Sequence, residues 1–431
     1  MLAEWSLRGI WWSIDGDLGL ITLSPVHRAL VPVSSAAANR VSGPNYDEFQ
    51  DDAEIRAYIQ ANPDSIVRVT MAHADATAPA DLLTEGSDAS LTRAATNMAA
   101  LTASDLTRTV EEVLWVVEMI DPSRPGVRQI GLGGMARTDE IRTAATPAGP
   151  IIRNEGVREK KARGRADLIE RTSAIVGTVN NAVDDAKGVL RDALERYADS
   201  RPCDLAVEDE RATWHRVWLV TEGEEISGFR ALLAAEPRAY VADGNHRSAG
   251  AAMLGYAEFL SVFFPAHTME IKPYNRLVDV TPEGSDGFLR RLRTSFDVRE
   301  VGGVDAYQPE NSDKIGLYSA GGWLELTPKP GTYDPANAAE SIAAGIVQRN
   351  LFGAVLGIPD AGDVRLRFVG SNRDARYLQD RVDSGEYGYA VTLPAVTMGQ
   401  FIEVCMQDRL MPPKSTWFEP KLRSGLVVAL L

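Results

Sequence analysis

Ala239-Tyr240-Val241-Ala242-Asp243-Gly244-Asn245-His246-Arg247-Ser248-Ala249-Gly250-Ala251-Ala252-Met253-Leu254 is the stretch on which the reading of this chain turns. Tyr240-Val241 ends a strand, Gly244 permits a tight turn, and the small-residue run from Ser248 favours a helix whose first turn includes His246 and Arg247. A helix N-terminus offers unpaired backbone N–H groups and a partial positive charge. With His246 and Arg247 added there, the turn suits phosphate oxygens, which arginine grips bidentately. A plainer reading stands beside this one, in which Asp243 caps the helix and Arg247 pairs with a surface acid.

Outward from the turn, strands and helices mix, which predicts an α/β fold rather than a helical bundle. Val113-Leu114-Trp115-Val116-Val117 and Trp218-Leu219-Val220 are too short for helices and too apolar for the surface, so both read as buried strands. Asp167 to Tyr197 reads as two helices, with Leu168, Ile175, Val179 and Val183 on apolar faces and interruptions at Gly177 and Gly188. Between Pro44 and Asn62-Pro63 lies a short helical stretch, followed by the strand-like Ile66-Val67-Arg68-Val69. Residues 76–105 are rich in Ala, Thr, Ser and Asp and poorly patterned, which predicts a surface loop or an irregular helix.

With 431 residues the chain exceeds one ordinary core at ~150 residues per domain. A content of 45% hydrophobic and 24% charged residues is that of a globular protein. The formal net charge of −15 repels a nucleic-acid backbone, so no nucleic-acid partner is expected. The longest apolar runs, such as Phe259-Leu260-Ser261-Val262-Phe263-Phe264, fall far short of the ~20 residues that span a bilayer. Met1-Leu2-Ala3-Glu4-Trp5 places an acid where a signal peptide carries base, and Cys203 and Cys405 form no disulfide framework. A cytoplasmic protein is the expectation.

The stretch resembles the Ala-Asp-Gly-His-His-Arg turn of a bacterial family of unknown function related to the free serine kinases and to the ParB and sulfiredoxin superfamily. Ala242, Asp243, Gly244, His246 and Arg247 match, with Asn245 in place of the first histidine. Further matches follow the family's order: Pro44-Asn45-Tyr46-Asp47, Ile152-Arg153-Asn154-Glu155, Trp214-His215-Arg216-Val217-Trp218 and Lys272-Pro273-Tyr274-Asn275-Arg276. Met411-Pro412-Pro413-Lys414-Ser415-Thr416-Trp417-Phe418-Glu419-Pro420-Lys421 resembles the family's C-terminal motif nearly letter for letter.

The resemblance implies a ParB/sulfiredoxin-like core that transfers a phosphoryl group from ATP or ADP, with Mg2+ held mainly by the nucleotide phosphates, to a small hydroxylated metabolite such as free serine. It places Glu155 as the carboxylate that takes the hydroxyl proton, with Asp243 and His246 as its catalytic companions. Gly244, Asn245, Arg247, Ser248, Arg153 and Arg158 are the expected phosphate and nucleotide ligands, and Lys414, Ser415, Thr416 and Lys421 an additional part of the site. Asn154, like Asn245, stands where the kinase relatives have histidine, and asparagine takes up no proton near neutral pH. A second reading is therefore a nucleotide-binding regulator or switch with little transfer. The C-terminal motif also reads as a packing element anchored by Trp417 and Phe418.

On a helix Arg158, Lys161 and Arg165 share one face, which either presents cations to a triphosphate or an acidic substrate or is a solvated face balanced by Glu159 and Asp167. Gly131-Leu132-Gly133-Gly134 lacks dinucleotide-binding spacing and reads as a bend. Lys414-Ser415-Thr416 lacks the glycines of a phosphate-binding loop, and His27, His73, His215 and His267 have no metal-ligand spacing, so no metal is expected. The expected organisation is an N-terminal α/β segment (1–140), the phosphate-binding core (141–280) and a C-terminal unit (281–431), with no expectation for the oligomeric state.

Overall fold

A computed structural model describes residues 20–280, 285–302, 306–320 and 322–431. The N-terminal stretch read against a signal peptide lies outside these residues. The elements that build the site are, in chain order, β1 (Val26–Pro32), α1 (Asp88–Thr102), β2 (Thr107–Ile120), β3 (Gln129–Arg137), β4 (Ile151–Ile152), α2 (Glu159–Thr172), β5 (Val179–Val183), β6 (Ala239–Asp243), α3 (Asn245–Met253) and β7 (Glu258–Pro265). The protein is mixed α/β, as the alternation of patterns implies.

One large mixed sheet runs β4-β6-β5-β7-β3-β2-β1 and continues through Val428–Leu430 to Ala174–Ile175. Its strand β2 bends at Glu112, whose φ is 49°. The first half of β2 pairs with β1, while the second half pairs with β3 and Trp214–Val220. A second sheet, antiparallel throughout, joins Phe296–Val301, Gly322–Pro328, Ile315–Ser319, Tyr389–Thr392, Asn275–Val278 and Leu366–Val369. A contiguous cluster of buried side chains, including Trp115, Phe264, Phe296, Phe352 and Phe401, spans both sheets.

Four local expectations are corrected. Val179 and Val183 lie on no helix face: they begin and end β5, buried throughout between β6 and β7. Two asparagines in its middle disguise this strand, and the Asn181 side-chain amide donates to the Ser261 hydroxyl at 2.5 Å. Residues Val67–Thr70 form a helical turn rather than a strand, closed by the Met71 N–H donating to the Val67 carbonyl at 2.8 Å. Within residues 76–105 lies the regular helix α1, capped by Ser87, with Ser90, Ala94, Met98 and Leu101 as its buried stripe. Two of its four positions, Ser90 and Ala94, are small or polar, which hides its period. Gly131, Gly133 and Gly134 are not a bend but part of β3, where a Cβ on Gly133 would lie inside the Trp115 ring and one on Gly131 against Phe264.

Candidate functional site

Strand β6 runs parallel to β4, with Ala239 opposite Ile151 and Tyr240 opposite Ile152. Parallel pairing makes both chains leave the same edge of the sheet, so the Asn154-Glu155 segment and the Asp243-Gly244 turn emerge side by side. Gly244, with φ 107°, turns the chain and is the N-cap of α3, so Asp243 is not the cap of the plainer reading. A Cβ on Gly244 would meet Arg247 Nε at 2.9 Å and the Val179 backbone at 3.1 Å. The turn therefore requires glycine on grounds of φ and of space.

The C-terminal motif returns to this edge because it is tied at several points. Met411 bridges Glu155, Trp417–Glu419 pairs with Glu270–Lys272, and Ser424 bridges Gly43. Arg276, buried and without a carboxylate partner among the described residues, donates to the Tyr274 carbonyl at 2.7 Å and to the Pro413 carbonyl at 3.3 Å. Burial lowers its pKa to about 10. Lys414 is left in a left-handed conformation, φ 58°, and its backbone N–H donates to Glu155 at 3.1 Å. A non-glycine residue held there marks a constraint imposed by its surroundings.

The result is a cavity lined by Tyr46, Asp47, Asn154, Glu155, Arg165, Ala242, Asp243, Gly244, Asn245, His246, Arg247, Lys414, Thr416 and Lys421. Arg247 pairs with Asp243 at 3.0 Å, Lys421 with Asp243 at 3.5 Å and with Asp47 at 3.2 Å, and Lys414 with Asp47 at 3.5 Å. Lys414 Nζ also stands 5.3 Å from the centre of the Tyr46 ring and 5.4 Å from that of Tyr274. Burial works to raise the pKa of Asp47, but Lys421, Lys414 and Arg247 outweigh it and hold the carboxylate ionised. Asp243 is lowered in the same way, by Lys421 and Arg247 against burial. Burial opposes the charge on Lys421, and Asp243 and Asp47 more than restore it.

His246 differs. Burial, then Lys161, Lys414, Arg158 and Arg165, lower its pKa to about 4, so the ring is neutral at pH 7. Its Nε2 accepts the Arg158 backbone N–H at 3.1 Å, which places the ring proton on Nδ1. Glu48, next to Asp47, is pushed up to about 7 by burial and by the Asp47 charge.

Of the residues expected from the sequence, the structure gathers Glu155, Asp243, Gly244, Asn245, His246, Arg247, Lys414, Thr416 and Lys421 around one cavity. Ser248 is buried and donates to the Asn245 carbonyl at 3.1 Å, while Ser415 donates to the Pro412 carbonyl at 2.6 Å; each closes a turn. Arg153 and Arg158 do not line this cavity, and Arg158 reaches the Ala361 carbonyl at 3.4 Å instead. Asp47 was not expected in the site. Its only signal was the Pro44-Asn45-Tyr46-Asp47 match, which carries no chemistry until Lys414 and Lys421 are brought to it.

Asp47 Oδ1, Asn245 Oδ1 and Arg247 Nε are buried without hydrogen-bond partners among the described residues, and all three belong to residues that line the cavity. Among the described residues no group of three or more His, Cys, Asp or Glu is placed to hold a metal ion. Lys421 lies between Asp47 and Asp243 and pairs with both. No described helix is long and apolar enough to cross a membrane.

Fold and site together define a mixed α/β protein with a cationic cradle at a strand-to-helix turn. A family model described as "Protein of unknown function (DUF1015)" matches residues 23–351, and the chain belongs to that family. Solved structures similar to it include a free serine kinase in complex with AMP, 13% identical, with a TM-score of 0.38 and coverage of 68% of this chain and 92% of that one. A conserved hypothetical protein from Pyrococcus furiosus is 12% identical, TM-score 0.37, covering 68% and 95%. SbnI with a C-terminal truncation, from Staphylococcus aureus, is 10% identical, TM-score 0.38, covering 69% and 87%. No curated protein matches.

Proposed function

We propose that this protein is a nucleotide-dependent phosphotransferase acting on a small hydroxylated metabolite, with ATP or ADP as donor, built on a ParB/sulfiredoxin-like core near residues 141–280. The observation that carries the reading is the convergence of Arg247, Lys414 and Lys421 on the Gly244 turn, with the carboxylate of Glu155 lining the same cavity. Phosphoryl transfer asks mainly for positioning and for neutralisation of charge, and Arg247, Lys414 and Lys421 beside helix-terminal N–H groups supply both. The donor's phosphates bring the transferred group and any accompanying Mg2+.

Glu155 is the base. As the acceptor oxygen forms its bond to phosphorus and the bond to the leaving nucleotide oxygen breaks, the hydroxyl proton passes to the Glu155 carboxylate and the negative charge leaves on the nucleotide. Lys414 holds Glu155 through its backbone N–H, so the base and one phosphate-binding cation are set by the same peptide. His246, neutral and tied to Arg158, orients the two helix N-termini and offers Nδ1–H as a donor.

Incubation with ATP or ADP and a panel of hydroxylated metabolites that includes free serine tests the reading, with phosphorylated products read by mass spectrometry. Saturable nucleotide binding without product would replace it with the second reading, a nucleotide-binding switch. The Asn154–Asn245 hydrogen bond favours that alternative, because neither side chain takes up a proton.

A further inference from the structure

Three cavities meet at one pair of residues. The Arg165 guanidinium lies 4.4 Å over the Tyr46 ring, and both residues line the phosphate cavity and the two cavities beside it. One neighbour is walled largely by Leu168, Ile169, Ile175 and Val176. The other, about 510 Å³, lies between α1 and α2 and shares His246 with the phosphate cavity.

We infer that this larger cavity receives the acceptor, and that the acceptor carries an anionic group, a carboxylate or a phosphate ester, in addition to its hydroxyl. The inference rests on the phosphotransferase reading. A transfer site must hold phosphates, a base and an acceptor, and the three cavities differ in kind: the first is a cationic cradle, and the second is apolar enough for a flat heterocycle. The third remains for the acceptor, and its size falls within the range of small-molecule sites.

Its charge sets the class of ligand. Lys160, Lys161, Arg163 and Arg165 line it against Glu85 and Asp167. The chain has 60 acidic and 45 basic residues, yet none of these four cations joins an ion pair among the described residues, although Arg128, Arg247 and Arg423 all do. Lys160, Lys161 and Arg163 also sit in the first turns of α2, where the helix dipole opposes positive charge. An arrangement that works against the stability of the helix, in a chain with acids to spare, is what an anion-binding surface requires. The hydroxyl end of such a ligand passes His246 towards Glu155 while its anionic end stays among the cations of α2.

The test is a charge reversal on exposed side chains, Lys161→Glu with Arg163→Glu, with folding checked by circular dichroism. Protein saturated with ADP is titrated calorimetrically with glycerate as the carboxylate probe, glycerol 3-phosphate as the phosphate-ester probe, and glycerol as the neutral control. The wild type is expected to bind at least one anionic probe in preference to glycerol. The double variant is expected to lose about tenfold or more of that affinity while ADP binds as before. A loss of ADP affinity with probe binding unchanged would place the nucleotide in this cavity and overturn the inference, as would equal binding of charged and neutral probes. Because the titration reads binding, anion binding that depends on Lys161 and Arg163 in a protein that transfers nothing would leave the cavity an anion site and remove only the phosphotransferase reading.

Discussion

Asn245 donates a hydrogen bond from its side-chain amide to the side-chain oxygen of Asn154 at 2.8 Å, in a position where both residues are buried. Asn154 and Asn245, which the sequence resemblance sets at two histidine positions, are thus one contact. Parallel pairing of β4 and β6 explains it, since the segments that follow the two strands leave the sheet together.

Coupling follows from that contact. Asn154→Ala and Asn245→Ala each leave the other amide buried without its partner, at a cost of about 1 to 3 kcal/mol. The double variant should cost less than the sum of the two, by about 0.5 to 3 kcal/mol, in a denaturant-unfolding cycle. Simple additivity would show that the contact carries no energy.

For the phosphate cradle, Arg247→Lys is a better probe than Arg247→Ala. Arg247 is largely shielded from solvent, pairs with Asp243 and donates to Asn45 at 3.2 Å, so its removal leaves Asp243 with Lys421 alone and threatens the fold. Lysine keeps the charge and loses the two-pronged grip. The expected outcome is nucleotide binding weakened by about tenfold in calorimetric titration, with a melting temperature near the parent's.

Gly244→Ala should damage fold and site together. At φ 107° an alanine is strained, and its methyl group meets Arg247 Nε at 2.9 Å. Destabilisation of about 1 to 3 kcal/mol is expected, accompanied by weaker nucleotide binding because Arg247 is pushed from its place. Parental affinity in a folded variant would remove the turn from the binding site.

Glu155→Gln separates base from ligand. Glutamine can still accept the Lys414 backbone N–H through its carbonyl oxygen, so the loop is kept while the proton acceptor is lost. Turnover should fall by about 10² to 10⁴ and nucleotide affinity should change little. Parental turnover would refute the assignment.

Acid should destabilise the protein through His246. Its pKa is lowered to about 4 in the fold, against about 6.5 unfolded, so the unfolded chain binds more protons between those values. The contribution is present above about pH 6.5 and is lost as pH falls towards 4. Glu48, raised to about 7, acts in the opposite sense: its contribution is present at low pH and is lost as pH rises through 7. The difference in unfolding free energy between the parent and His246→Gln, measured from pH 4 to 7, isolates the histidine. A flat difference would contradict its burial among Lys161, Lys414, Arg158 and Arg165.

The sequence by itself determined the strand, turn and helix from Ala239 to Met253, because Gly244 and the small residues after it speak through local backbone preference. It also carried the strands around Trp115 and Trp218 in apolar runs that admit few alternatives. Tertiary structure alone decided that residues 179–183 form a strand and residues 88–102 a regular helix. Asparagines in the first and alanines in the second make sense only once neighbours cover them. It alone brought Asp47, Glu155, Lys414 and Lys421 around one cavity. Separations of more than 350 residues, as between Asp47 and Lys414, are closed by strand pairing and burial, which no local pattern records. It alone, finally, joined Asn154 and Asn245 in one hydrogen bond, because only the parallel pairing of two strands distant in the chain sets those side chains face to face.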